Sequence, residues 1–211
     1  NVSYQMGFNT NATFRNFQLT DGTAKDYLGF GADVRNLPSS FPAHLGEHST
    51  DEAAAFTRQI NQRWGINKFT AIPDQKISLT SHRSYDVGGW KIGNITNLNW
   101  STEFDYSETV NNNYIAYDVK NDVSRPRFEY NDIRYKNTSK LGALFNWSFQ
   151  RDGSKYELRN FFSQRGVSAL TQREGMNYYS DKDIRKWESL YTGRTTYSGQ
   201  ISGVHLSLIH I

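Results

Sequence analysis

Cysteine is missing from all 211 residues, so the chain has no disulfide and no thiolate to offer as nucleophile or metal ligand. Proline is reduced to 4 residues, which leaves long stretches free to run as uninterrupted strands. No stretch approaches the about 18 consecutive apolar residues that mark a membrane-crossing helix. That excludes helices as a way across a bilayer but not strands, whose alternating side chains escape such a count. Charge of either sign is nearly balanced, at 24 Lys and Arg against 21 Asp and Glu. The excess is spread out, with no dense basic run of the kind that binds nucleic acid, so no nucleic-acid partner is expected. No leader segment is visible; the first residues already alternate like the middle of a strand, and an internal fragment is expected.

Rings are what the chain has in abundance. Aromatics reach 15% while hydrophobic residues as a whole stop at 36%, so the apolar content is concentrated in large side chains on about half the strand positions. A barrel wall has this composition, because one face of each strand alone needs to be apolar.

The pattern is clearest in KLGALFNWSFQRDGSKYELRNFFS, residues 140–163. Leu141, Ala143, Phe145, Trp147 and Phe149 alternate with polar or small residues, a period of two. Asp152-Gly153 is a strong hairpin signal, and Tyr156, Leu158 and Phe162 continue one face of the return arm. Near the start, Val2, Tyr4, Met6, Phe8, Ala12 and Phe14 share a face. That alternation lasts about 13 residues, roughly 40 Å of strand, where about 9 to 11 suffice to span hydrocarbon. Further strands are expected over 74–86, 90–106, 126–150 with a break at 136–139, 154–170 and 187–198. Trp90, Ile92, Leu98, Trp100, Phe104 and Tyr106 lie on one face of the third of these six. Gly88-Gly89 reads as a second tight turn.

Between the strands, 18–73, 107–125 and 171–183 read as long loops. Within the first, Ser49 or Thr50 caps a short amphipathic helix expected over 51–64, with Ala53, Phe56, Ile60 and Trp64 on one side. Tight turns at one end and long loops at the other match outer-membrane barrels, whose outer loops are the long ones. The expected fold is therefore all-β. It is an antiparallel up-and-down transmembrane β-barrel fragment of about six long strands, open as it stands, with a short helix in the first long loop. Residues 1–205 form the partial barrel; 206–211 are out of character with it. Rings face hydrocarbon and the polar side faces a filled lumen; a soluble β-sandwich with alternating inner faces is the competing arrangement.

Several stretches resemble the barrel part of TonB-dependent outer-membrane receptors of the Bacteroidetes type. SYQMGFNTNATFRNF is similar to the first strand after the plug. DYLGFGADVRNLP (26–38) is similar to a D-W-L-G-F-D-D-G-x-R-x-L-P stretch, with Tyr27 in place of Trp and Gly31-Ala32 departing from Asp-Asp. KLGALFNWSFQ, YELRNFFSQRG and LTQREG resemble later strands and an outer loop. The resemblance covers nearly everything to about residue 205. It implies a barrel of about 22 strands around a plug domain of the same parent chain. It also implies energised uptake of a nutrient through the TonB protein, contacted by an N-terminal part not present here. Outer-membrane lipid and a surface lipoprotein are the other implied partners. The alternative is a structural or adhesive surface β-protein, or a passive outer-membrane pore.

Site candidates are few. Tyr114, Tyr117 and Trp64 are candidates for substrate contact at the mouth, since such side chains combine area with a polar tip. Arg15, Glu103, Glu157 and Arg159 are candidates for facing the plug, with ordinary hydration of a polar face as the competing reading. His44 and His48 stand four apart near Glu47, Asp51 and Glu52, but no third ligand has a telling spacing, so no metal is expected. His82 and His205 read as polar wall residues. No serine sits in a nucleophile elbow and no phosphate loop is complete, so neither enzymatic activity nor a cofactor is expected.

Overall fold

A computed structural model describes residues 1–60 and 65–205; Trp64 and the 206–211 tail lie outside the described residues. The tight turns set the frame. Gly88 and Gly89 take φ of 59° and 82°, and Asp152 and Gly153 take 45° and 78°. Two successive positive φ values match the twist of flanking strands, which is why Gly-Gly and Asp-Gly occupy these turns. The first turn joins β4 (Asp74–Val87) to β5 (Trp90–Asp118). The second joins β6 (Val123–Arg151) to β7 (Ser154–Asn177). With β1 (Val2–Gly7) on β4 and β8 (Lys182–His205) on β7, the result is a six-stranded antiparallel up-and-down sheet in the order β1-β4-β5-β6-β7-β8. The sheet is open, with β1 and β8 at its edges.

Four expectations are corrected. Apart from the turns at 119–122 and 178–181, the stretches 107–125 and 171–183 are not loops but continuations of the strands. β5 and β6 stay paired from Lys91–Gln150 out to Asp118–Val123, and β7 and β8 out to Asn177–Lys182. These distal arms are polar, and main-chain ladders hold them without an apolar face, so no alternation announces them. The expected break at 136–139 is likewise bridged by continuous pairing. The first strand is shorter than its alternation suggested. It ends at Gly7, where Asn9 closes a turn by accepting from Thr13 N–H at 2.8 Å and donating its own N–H to the Thr13 hydroxyl at 2.9 Å. Finally, the helix α1 is Thr50–Arg58, capped by Ser49 and Glu52 in a reciprocal capping box.

The stretch between β1 and β4 is an insertion that folds back over one face of the sheet. It carries its own two-stranded sheet, β2 (Asn16–Thr20) with β3 (Ile66–Thr70). Phe17 of β2 is wholly buried. Its ring centroid lies 5.6 Å from Phe69, 5.4 Å from Phe104 and 5.2 Å from Tyr135, the last two edge-on. Ala12 and Ala71 complete this core. Polar contacts stitch its margin: Thr20 to Ser189 at 2.7 Å and Gln172 to Gln18 at 2.8 Å.

Pairing register sorts the sheet's side chains onto two faces, one richer in rings and one more polar. Leu79, Leu98, Ala143, Phe162 and Tyr197 stand in one cross-strand row, and Arg83, Asn94, Trp147, Leu158 and Ile201 in another, all on the face that the insertion partly covers. Ser78, Asn99, Gly142, Ser163 and Thr196 form a row on the opposite face. So the ring-bearing side has two zones. Far from the tight turns it lies under the insertion. Near them, from Trp90 up to the Leu98 and Trp100 rows where the strap begins, it is largely uncovered: Phe145 is 46% exposed, Tyr197 68% and Ile201 83%, though Asn94 is buried.

Candidate functional site

The polar face gathers three of the four charges singled out for it. Glu103 accepts from Lys140 at 3.2 Å, and Glu157 is held between Lys155 at 2.7 Å and Arg159 at 2.5 Å. Arg15 is not with them. It belongs to the insertion, where its Nε donates to the Thr10 carbonyl at 3.1 Å. Sequence alternation misplaced it because the strand ends eight residues earlier. Two cross-strand ion pairs farther along this face, Lys136–Asp105 at 2.7 Å and Arg173–Asp132 at 2.5 Å, were not singled out. Arg165 and Arg194 face each other directly in the ladder, an arrangement that costs stability unless solvent or a counter-ion screens it.

Tyr114 and Tyr117 sit at the tip of the β5–β6 arm, both more than half exposed. The Tyr117 hydroxyl donates to Asp122 across the turn. Two compensating register irregularities lie here: Ile115 is skipped on β5 and Arg127 on β6. The Arg127 carbonyl instead accepts from the N–H groups of Tyr178 and Tyr179, at 3.0 and 3.3 Å, in the turn between β7 and β8.

The insertion is fastened by the stretch with the distinctive D-Y-L-G-F-G pattern. Asp26 and Arg35 form a two-pronged ion pair, at 2.6 and 3.1 Å, and Arg35 also donates to the Gly31 carbonyl at 2.6 Å. The guanidinium lies 4.4 Å from the centroid of the Tyr191 ring, whose hydroxyl accepts from Gly31 N–H at 2.7 Å. The Gln164 amide donates to the Gly29 carbonyl, and the Trp100 indole to the Tyr27 carbonyl at 2.6 Å. Gly29 takes φ of 83° and lies so close to the sheet that a Cβ on Gly166 would be 2.6 Å from its Cα. Residues 24–38 are thus a strap tied to β5, β7 and β8. Tyr191 and Gln164 gave no sign of this role in the sequence, since neither has a pattern of its own. Gly166→Val is expected to lift the strap and cost about 1–3 kcal/mol through overpacking. Loss of protection at the Gly31 amide in hydrogen exchange would report it.

Outside the sheet, two carboxyls titrate low. The Lys25 ammonium beside Asp33 and the Ser49 hydroxyl on Glu52 each favour the charged form. His48 lies 3.9 Å from Glu52 and its ring packs on Phe56. Among the described residues no three His, Asp or Glu side chains converge as metal ligands. Ser154 Oγ and His205 Nδ1 meet at 2.7 Å at the ends of β7 and β8. They are register partners, so the contact is a polar cross-strand pair. A cavity of about 290 Å³ separates the strap from the sheet, lined by Tyr27, Phe69, Phe104, Asn137 and Ser168.

A scan against protein-family models, a search of curated proteins and a search of solved structures each return no match.

Proposed function

We propose that this sheet is wall from an outer-membrane β-barrel, and that the whole protein is a plugged, TonB-energised receptor for a nutrient. One observation carries the membrane part of the reading: a ring-rich, largely exposed band on one face of an in-register sheet, interrupted by Arg83, Asn94, Thr96 and Asn160 and backed by a more polar face at the same height. From Trp90 to Trp100 the band spans ten residue steps along β5. At about 3.4 Å per residue and a strand tilt of about 40°, that is roughly 26 Å, against the ~25 Å apolar band of outer-membrane barrels. The rings Trp90, Tyr156, Trp100 and Tyr197 lie towards its margins, where aromatic belts belong.

The polar face then looks inward, with Glu103, Glu157 and Arg159 available to a plug domain. In lipid the edges of β1 and β8 need partners, so the reading requires further strands to complete the wall. Receptor and uptake rest on the resemblance in the strap and strands. The test is to express the full-length protein, ask whether it migrates in a detergent-folded, heat-modifiable form, and measure nutrient uptake with and without TonB. A soluble, detergent-independent monomer overturns the membrane reading; a detergent-folded barrel that gains nothing from TonB overturns the receptor.

A second reading, a surface adhesin or passive pore, draws on the distal β5–β6 arm, whose Val110, Tyr114, Ile115 and Tyr117 are all exposed. The same uptake measurement separates the two.

A further inference from the structure

We infer that the strap, residues 24–38, is a membrane-interface anchor seated at the lipid headgroup level on the outer flank of the wall. This rests on the bilayer reading above and goes beyond it by assigning the strap a lipid partner and fixing where hydrocarbon must end.

Three observations converge. The strap lies on the ring-bearing face, not the polar one: its Tyr27 carbonyl takes the Trp100 indole proton, and Phe30 stacks on Phe162 with ring planes 14° apart. It therefore sits directly on the upper margin of the exposed band, continuous with it. Second, the strap is made of short 3-10 turns and irregular backbone, Ala24–Leu28 and Asp33–Arg35, and not of strand. Many of its N–H and C=O groups are bonded within the strap or to the sheet, but irregular backbone is tolerated at membrane depth only where protein covers it, and the exposed Lys25–Asp33 pair would be costly in hydrocarbon. The strap thus cannot lie inside the apolar slab, and its position sets the slab's limit. Third, its outer surface is nonetheless apolar: Tyr27 is 51% exposed, Leu28 45% and Leu37 57%, beside the solvent-facing Lys25–Asp33 ion pair. A surface that mixes a phenol, aliphatic side chains and paired charges suits the headgroup–acyl boundary, where amphipathic rings settle.

Site-directed spin labelling tests this, because cysteine is absent from these 211 residues. Single variants Tyr27→Cys, Leu28→Cys, Ile201→Cys and Asn121→Cys would be made in the full-length chain carrying no other cysteine, and reconstituted in lipid bilayers. Collision rates with oxygen, which concentrates in hydrocarbon, and with a water-soluble nickel chelate give the depth of each label. The expected order is Ile201 deep, Tyr27 and Leu28 at the interface, and Asn121 in water. If labels at both strap positions read like Asn121 while Ile201 reads deep, the anchor is wrong and the bilayer reading stands. If they read as deep as Ile201, the strap is not at the boundary and the anchor is again wrong. If Ile201 itself reads as aqueous, the bilayer reading fails and the anchor with it. A variant that dislodges the strap is recognised by loss of the Gly31 amide protection, and the other strap position then decides.

Discussion

Replacing Ile201 with arginine is expected to destabilise the protein by about 2–4 kcal/mol when it is folded in a bilayer, the cost of a basic side chain near the middle of a lipid-facing strand. Ile201 is 83% exposed on β8. In a soluble protein such a substitution stays within about 0.5 kcal/mol. The control is its neighbour, Gln200→Arg, whose side chain lies in the opposite row with Asn146 and Arg159. On the lumen side that change should be nearly silent. Urea unfolding of the full-length chain in lipid vesicles, followed by tryptophan fluorescence, reads both. Equal effects at the two positions would mean that the two faces meet the same solvent, and the assignment of rings to hydrocarbon would be lost.

Phe17→Ala is expected to cost about 3–5 kcal/mol, the range for truncating a buried phenylalanine. Phe17 is wholly buried and is the centre of the contact between β2, β3 and the sheet, with Phe69 on one side and Phe104 and Tyr135 on the other. Its removal leaves a cavity bounded by aromatic rings on a rigid sheet, which cannot collapse to fill it. The damage should be local in kind. Hydrogen exchange should rise across β2, β3 and Asn9–Arg15, while the ladder between β6 and β7 keeps its protection. Uniform loss across all strands would show instead that the insertion is needed to hold the sheet itself.

What could be read from the chain and what could not divides along physical lines. Leu141 to Phe149 alternated because one side of that strand is apolar and the other is not, and the hairpin at Asp152-Gly153 was legible because few residues accept those backbone angles. The distal arms were missed for the converse reason: Val110-Asn111-Asn112-Asn113 has no apolar side, and its order comes from main-chain pairing that any sequence can make. The first strand was over-read because Ala12 and Phe14 kept the rhythm by accident; Ala12 is instead a core residue of the insertion, and Phe14 takes a left-handed φ of 62° at the bend. Most of the strap's chemistry was equally silent. Asp26 and Arg35 stood in a recognisable stretch, but their pairing, and the parts played by Gln164, Gly166 and Tyr191 more than a hundred residues away, exist only once the chain is folded.

The carbonyl that Arg127 lends to Tyr178 and Tyr179 has a mechanical consequence. β6 and β7 pair out to Phe128–Asn177, so the two hairpins form one four-stranded sheet nearly to their tips, and the Arg127 carbonyl extends that tie into the β7–β8 turn. A ligand that orders the tip at Tyr114 and Tyr117 is then expected to raise amide protection at Tyr178 and Tyr179 as well, which hydrogen exchange would read.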